Sequence, residues 1–146
     1  MPRSRDFDLR DFTPYLLSIA AETSSLGFQA FYKDRYGMLR TEWRVVFHLG
    51  RYGPMHAKEI CARARIHKTK VSRAVAALEA KRFLKRTTED TDRRHARLTL
   101  TQQGRQVFED LYDAAQSFDA DLVAQFTEEE HRVLRSCLIK IAELES

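Results

Sequence analysis

The chain has only two cysteines, Cys61 and Cys137, far apart and without metal-ligand spacing. Each reads as a small buried hydrophobe on a helical face. The histidines are His48, His56, His67, His95 and His131, and none stands three or four residues from another His or Cys, so no metal site is expected. No apolar run approaches the roughly 20 residues needed to cross a bilayer. The N-terminus, Met1 to Asp6, is basic, but no apolar signal core follows it, so a cytoplasmic location without membrane contact is expected. There is no Gly-rich phosphate loop, no Ser/His/Asp set and no pair of carboxylates in a cleft-like context. An enzyme is therefore not expected, and neither is a cofactor. Repeats, low-complexity tracts and linkers are also missing. With 43% apolar residues in a chain of 146, one domain with a real core is expected over 1–146.

Charge is present but unevenly spread. The net charge is +4, yet thirteen Lys and Arg face only five Asp and Glu between His56 and Arg97. From Thr101 onward four basic residues stand against ten acidic ones. The middle can face phosphates and the C-terminal third cannot.

Thr13-Pro14 reads as a helix start, with Thr as N-cap and Pro at the first position. Apolar residues at helical spacing predict a first helix over about 14–35, closed by Gly37. A second helix is expected over about 41–51, capped by Thr41 and stopped by Gly53-Pro54. Met55-His56-Ala57 reads as extended. A short third helix follows over about 57–64, then a fourth over about 68–81 that buries Val71, Val75 and Leu78 on one stripe. Residues 83–87 and 96–100 read as strands, with the polar run 89–95 as a hairpin loop. Two more helices follow, the second opened by a capping box, Thr127 with Glu130. The fold class is mainly α with a small two- to three-stranded β wing. It is a winged helix-turn-helix lobe plus N- and C-terminal helices.

On the fourth helix Thr69, Lys70 and Arg73 lie opposite the buried stripe, beside small Ala76, Ala77 and Ala80. A helix with that face fits the major groove, where Arg can bond a guanine edge in two places. Lys68 and Ser72 suit phosphates near the helix N-terminus, where free N–H groups and the dipole favour anions. Arg93 and Arg94 on the hairpin tip suit the narrow, negative minor groove. Asp90 and Asp92 would hold an arginine in shape through charge-assisted bonds. These observations point to double-stranded DNA as partner.

These same residues carry a family resemblance. Lys68-Thr69-Lys70-Val71-Ser72-Arg73, Leu78-Glu79-Ala80-Lys81, Asp90-Thr91-Asp92-Arg93-Arg94 and Leu98-Thr99-Leu100-Thr101-Gln102-Gln103-Gly104 resemble the DNA-binding lobe of the MarR family of bacterial transcriptional regulators. Tyr36-Gly37-Met38 with Glu42-Trp43-Arg44-Val45-Val46 is similar to the family's entry to its second helix. The resemblance implies a lobe over about 37–101 with dimerisation helices over about 10–36 and 102–146. It also implies a homodimer, a repressor more than an activator, reading a near-palindromic operator with helix 68–81 in the major groove and wing 88–96 in the minor groove. The long apolar stripes of the outer helices agree, since they exceed what one small lobe can cover, and a two-fold contact would bury the surplus.

Where the family usually has Gly, this chain has Arg65 before the reading helix and Arg82 after it. Each would cost about 1 kcal/mol in a left-handed turn. Arg65 is expected to contact phosphate. His67 stands where a capping Asp is common; a neutral imidazole can cap, and an imidazolium would add a phosphate contact. Relatives of this type bind small aromatic acids, for which Tyr15, Trp43 and Arg44 are the candidate cleft residues. Cys61 is the candidate for redox chemistry, through basic neighbours Lys58 and Arg65. The alternative to a DNA reader is a winged-helix protein-interaction module without sequence-specific DNA binding; Lys70 and Arg73 speak against it.

Overall fold

The computed structural model describes residues 5–88 and 96–145. Among these, six α-helices surround a small sheet: α1 (Thr13–Tyr36), α2 (Arg40–Tyr52), β1 (Met55–His56), α3 (Ala57–Ala64), α4 (Lys68–Ala80), β2 (Leu84–Thr87), β3 (Arg97–Leu100), α5 (Gln102–Val123) and α6 (Glu128–Ala142). The sheet is antiparallel in the order β1-β3-β2, with Leu84 opposite Leu100 and Met55 opposite Leu98. The extended stretch at Met55 is thus a third strand of the wing.

The core gathers around α2 and α4. Val45, Val46 and Leu49 meet Ile60, Val71, Val75 and Leu78, and Leu84, Leu98 and Leu100 close the sheet side. Leu78, Ile60, Val45 and Val46 have no accessible surface, and each such side chain stabilises the fold by roughly 1.5–3 kcal/mol. An aromatic chain links this core to α1 and α5: Phe28 to Trp43 with centroids 5.0 Å apart, Trp43 to Phe47 at 5.8 Å, and Phe47 to Phe108 at 5.4 Å.

Two helix starts differ from expectation. α1 begins at Thr13 with Phe12 in the cap position and no side-chain cap bond, so Thr13 is not the cap. A 3-10 turn at Leu9–Asp11, capped by Asp8, precedes it. α2 begins one residue before Thr41, and the orphan N–H of Leu39 is taken by the Glu42 carboxylate at 3.0 Å. The cap is supplied from inside the helix because Leu39 has no oxygen to offer. Glu42 is buried and also accepts from Lys81 Nζ at 2.7 Å. The start of α2 is thereby tied to the end of α4. The Thr127–Glu130 capping box forms with both reciprocal bonds.

The Leu-Thr-x-x-Gly run has a physical reading. The Thr101 hydroxyl donates to the Arg82 carbonyl at 2.7 Å and accepts from Gly104 N–H at 3.0 Å. A Cβ on Gly104 would stand 1.8 Å from the Phe83 carbonyl oxygen, so only Gly lets α5 start against the backbone that leads into β2. Arg65 and Arg82 both adopt left-handed φ, at 54° and 64°. The turns therefore keep the shape a glycine would favour and carry its cost.

The outer helices contrast with this core. α6 has no buried residue, and α1 has only Tyr32. Cys137, expected to be buried, is exposed on α6, while Cys61 is half-buried. Among the described residues no helix is long and apolar enough to cross a membrane.

Candidate nucleic-acid interface

Helix α4 separates its faces cleanly. Val71, Ala74, Val75 and Leu78 are buried, whereas Lys68, Thr69, Lys70, Ser72 and Arg73 are exposed. Among the described residues no ion pair neutralises Lys68, Lys70 or Arg73. The helix N-terminus is capped by His67, whose Nδ1 accepts from Thr69 N–H at 3.2 Å. That bond requires a bare Nδ1, which leaves the proton of the neutral ring on Nε2. The capping role expected of His67 is therefore present.

Behind α4 the wing is anchored by Arg86 on β2, whose Nε donates to Glu79 Oε1 at 2.8 Å. Asp90, Asp92, Arg93 and Arg94, expected at the wing tip, lie outside the described residues. Arg65, expected to contact phosphate, has partners within the chain. Its guanidinium donates to the carbonyls of Ala142 and Glu143 at the end of α6.

The expected cleft residues are only partly brought together. Trp43 and Arg44 line a pocket of about 250 Å³ with Ser25, Phe28, Tyr32 and Arg40. Tyr15 is exposed on the first turn of α1 and does not line it. Tyr15 and Ala21, the nearest lining residue on α1, are six positions apart, about 9 Å along a helix. Sequence reasoning missed Arg40 and Tyr32. The signal was present in the spacing: Arg40 and Arg44 are four apart on α2, and Phe28 and Tyr32 four apart on α1, so each pair shares a face. Burial pushes the Tyr32 phenol above its ordinary range, against the pull of the nearby Arg40 charge.

A cationic helix following a tight turn, backed by a three-stranded hairpin sheet, defines a winged helix-turn-helix lobe. The MarR family model matches residues 36–95, which takes in α2 to β2. Over that segment the chain is similar to MarR-family transcriptional regulators. It is 26% identical over 108 residues to YwaE of Bacillus subtilis (strain 168), a helix-turn-helix-type transcriptional regulator itself uncharacterised. That match covers 74% of this chain and 63% of YwaE, so the chain spans under two thirds of that relative's length. Two solved structures share the fold. A MarR/EmrR family regulator from Acinetobacter sp. ADP1 superposes with a TM-score of 0.82 at 24% identity, covering 94% of this chain and 96% of that one. BpsR of Bordetella bronchiseptica, whose DNA binding is regulated by 6-hydroxynicotinic acid, superposes with a TM-score of 0.84 at 19% identity, covering 95% and 99%.

Proposed function

We propose that the chain is a homodimeric repressor that reads a near-palindromic operator in double-stranded DNA. The observation that carries this reading is the exposed face of α4, with Thr69, Lys70 and Arg73 opposite a fully buried stripe. Those three side chains enter the major groove, and Arg73 takes a guanine edge in two places. Lys68 and Ser72 hold phosphates, while Arg93 and Arg94, held by Asp90 and Asp92, enter the minor groove from the wing. The repressor sign follows family analogy.

Pairing is supported by surface the protomer leaves open. Leu16 and Leu17 on α1, Leu122 at the end of α5, Phe126 in the turn after it, and Leu134 and Leu138 on α6 line a strongly apolar groove of about 770 Å³. The neighbouring Phe7, Leu9 and Phe12 are also exposed. A second copy, related by a two-fold axis, covers this surface and sets two reading helices about one DNA turn apart. The lobe is then about 37–101 and the pairing helices about 10–36 and 102–146.

The pocket beside Trp43 suits a small aromatic acid as effector. Phe28, Tyr32 and Trp43 offer ring faces, and Arg40 or Arg44 pairs with the carboxylate. The regulator BpsR responds to an acid of this type.

The test is selection of bound sequences from a random duplex pool at two salt concentrations. A two-fold-symmetric consensus is expected. Arg73→Ala should relax preference at one base pair per half-site, by about 1–3 kcal/mol, whereas Lys68→Ala should weaken all sequences about equally. Recovery of no consensus would reject the reading.

A further inference from the structure

Arg65 closes the turn between α3 and the reading helix in a left-handed conformation, φ 54° and ψ 47°. Its side chain turns back across the molecule. Nη1 donates to the Ala142 carbonyl and Nη2 to the Glu143 carbonyl, the latter at 2.9 Å. These are terminal carbonyls of α6, which lack partners within their own helix and lie at the negative end of its dipole. Glu143 is itself left-handed, and its N–H turns back to Ile139 and Lys140. The chain thus reverses at that point, and its two carbonyls meet one planar guanidinium. A guanidinium fixes two acceptors in a set orientation, which an ammonium does not.

The position of this contact gives it significance. It joins the turn three residues before Lys68 to a helix 77 and 78 positions away in sequence. Helix α6 has no buried residue, so few other contacts hold its end against the lobe. We infer that Arg65 is a positioning residue for DNA reading: its fork on the end of α6 fixes the angle between the reading helix and the pairing helices, and so fixes the half-site spacing that the dimer accepts. The inference rests on the dimeric DNA-reading function proposed above. It replaces a phosphate contact with a strut inside the chain, and the two roles leave different signatures. A phosphate ligand adds to the salt dependence of binding and is indifferent to spacing. A strut does the reverse.

The test uses duplexes bearing the selected operator with one base pair inserted or removed between half-sites. Affinities of the unaltered protein, Arg65→Ala and Arg65→Gly are measured on each at two salt concentrations. Glycine takes a left-handed turn without steric cost, so this variant keeps the lobe folded. Both variants should lose roughly 2- to 30-fold of the spacing discrimination, with an unchanged salt slope. Unchanged spacing discrimination would overturn the inference. So would a slope reduced by about 0.9, the mark of one lost phosphate contact. A readout without DNA separates this from the function itself. Exchange of the Glu143 and Leu144 amides, which bond back to Lys140 and Ile139, should accelerate in both variants. If the unaltered protein selects no operator, the function reading fails while exchange still reports the strut. Exchange equal to that of the unaltered protein would show that no strut exists.

Discussion

The helices of the lobe and the C-terminal helix α6 both carry apolar stripes, yet they end up in opposite conditions, with α5 bridging them by burying Val107, Phe108 and Leu111 in the core. In the lobe the stripes of α2, α3 and α4 are buried against one another and the sheet. On α6 no residue is buried, and Val133, Leu134, Leu138 and Ile141 remain exposed. The lobe therefore presents a polar, cationic outer face, suited to a polyanion. The outer helices present an apolar one, suited to a surface like themselves. The same period in sequence serves two purposes, and only the placement of partners tells them apart.

The strongest way to break this contrast is Leu138→Glu. A leucine contributes roughly 1.5–3 kcal/mol on full burial and counts twice in a two-fold contact, so the proposed dimer should weaken by about 3–6 kcal/mol. Sedimentation should show monomers, while the near-ultraviolet signal of Trp43 stays native. Loss of the lobe's fold along with pairing would mean the two regions are not separable. Gly104→Ala strikes the joint between them. Its Cβ would meet the Phe83 carbonyl at 1.8 Å, backbone that cannot step aside, so denaturant unfolding should show a loss of about 3 kcal/mol.

Two smaller effects sharpen the comparison. The Tyr36 hydroxyl at the end of α1 donates to Asp110 on α5. Burial first, and then this bond and the carboxylate charge, push the phenol up to about 12 from 10.0. A raised phenol means the folded state holds its proton more tightly than the unfolded chain. That stability is fully present below pH 10 and is lost as pH rises toward 12. Tyr36→Phe should remove this part of the alkaline loss, measured by denaturant melts across that range. Arg82→Gly should stabilise the lobe by about 1 kcal/mol, because a left-handed turn suits glycine; a lower melting temperature would contradict that.

Much of the lobe was legible in the sequence because local and global signals agree there. The spacing of Val71, Val75 and Leu78 dictated both a helix and its buried face, and Gly53-Pro54 marked the end of α2 without help from distant residues. What escaped was set by contacts far apart in the chain. Glu42 caps Leu39 from the third helical position, a local rule, but its pairing with Lys81, 39 positions away, is encoded by none. Arg65 looked like a phosphate ligand because its charge is visible in sequence and its distant acceptors, two backbone carbonyls, are not. Tyr15 was placed with Trp43 by residue type, and helical rise separates it from that pocket.

Hydroxyl-radical footprinting of the dimer on one selected duplex tests the central claim most directly. The account predicts two protected segments on one face of the duplex, one helical turn apart centre to centre, with both weakened in Arg73→Ala. A single protected segment, or two on opposite faces, would contradict it.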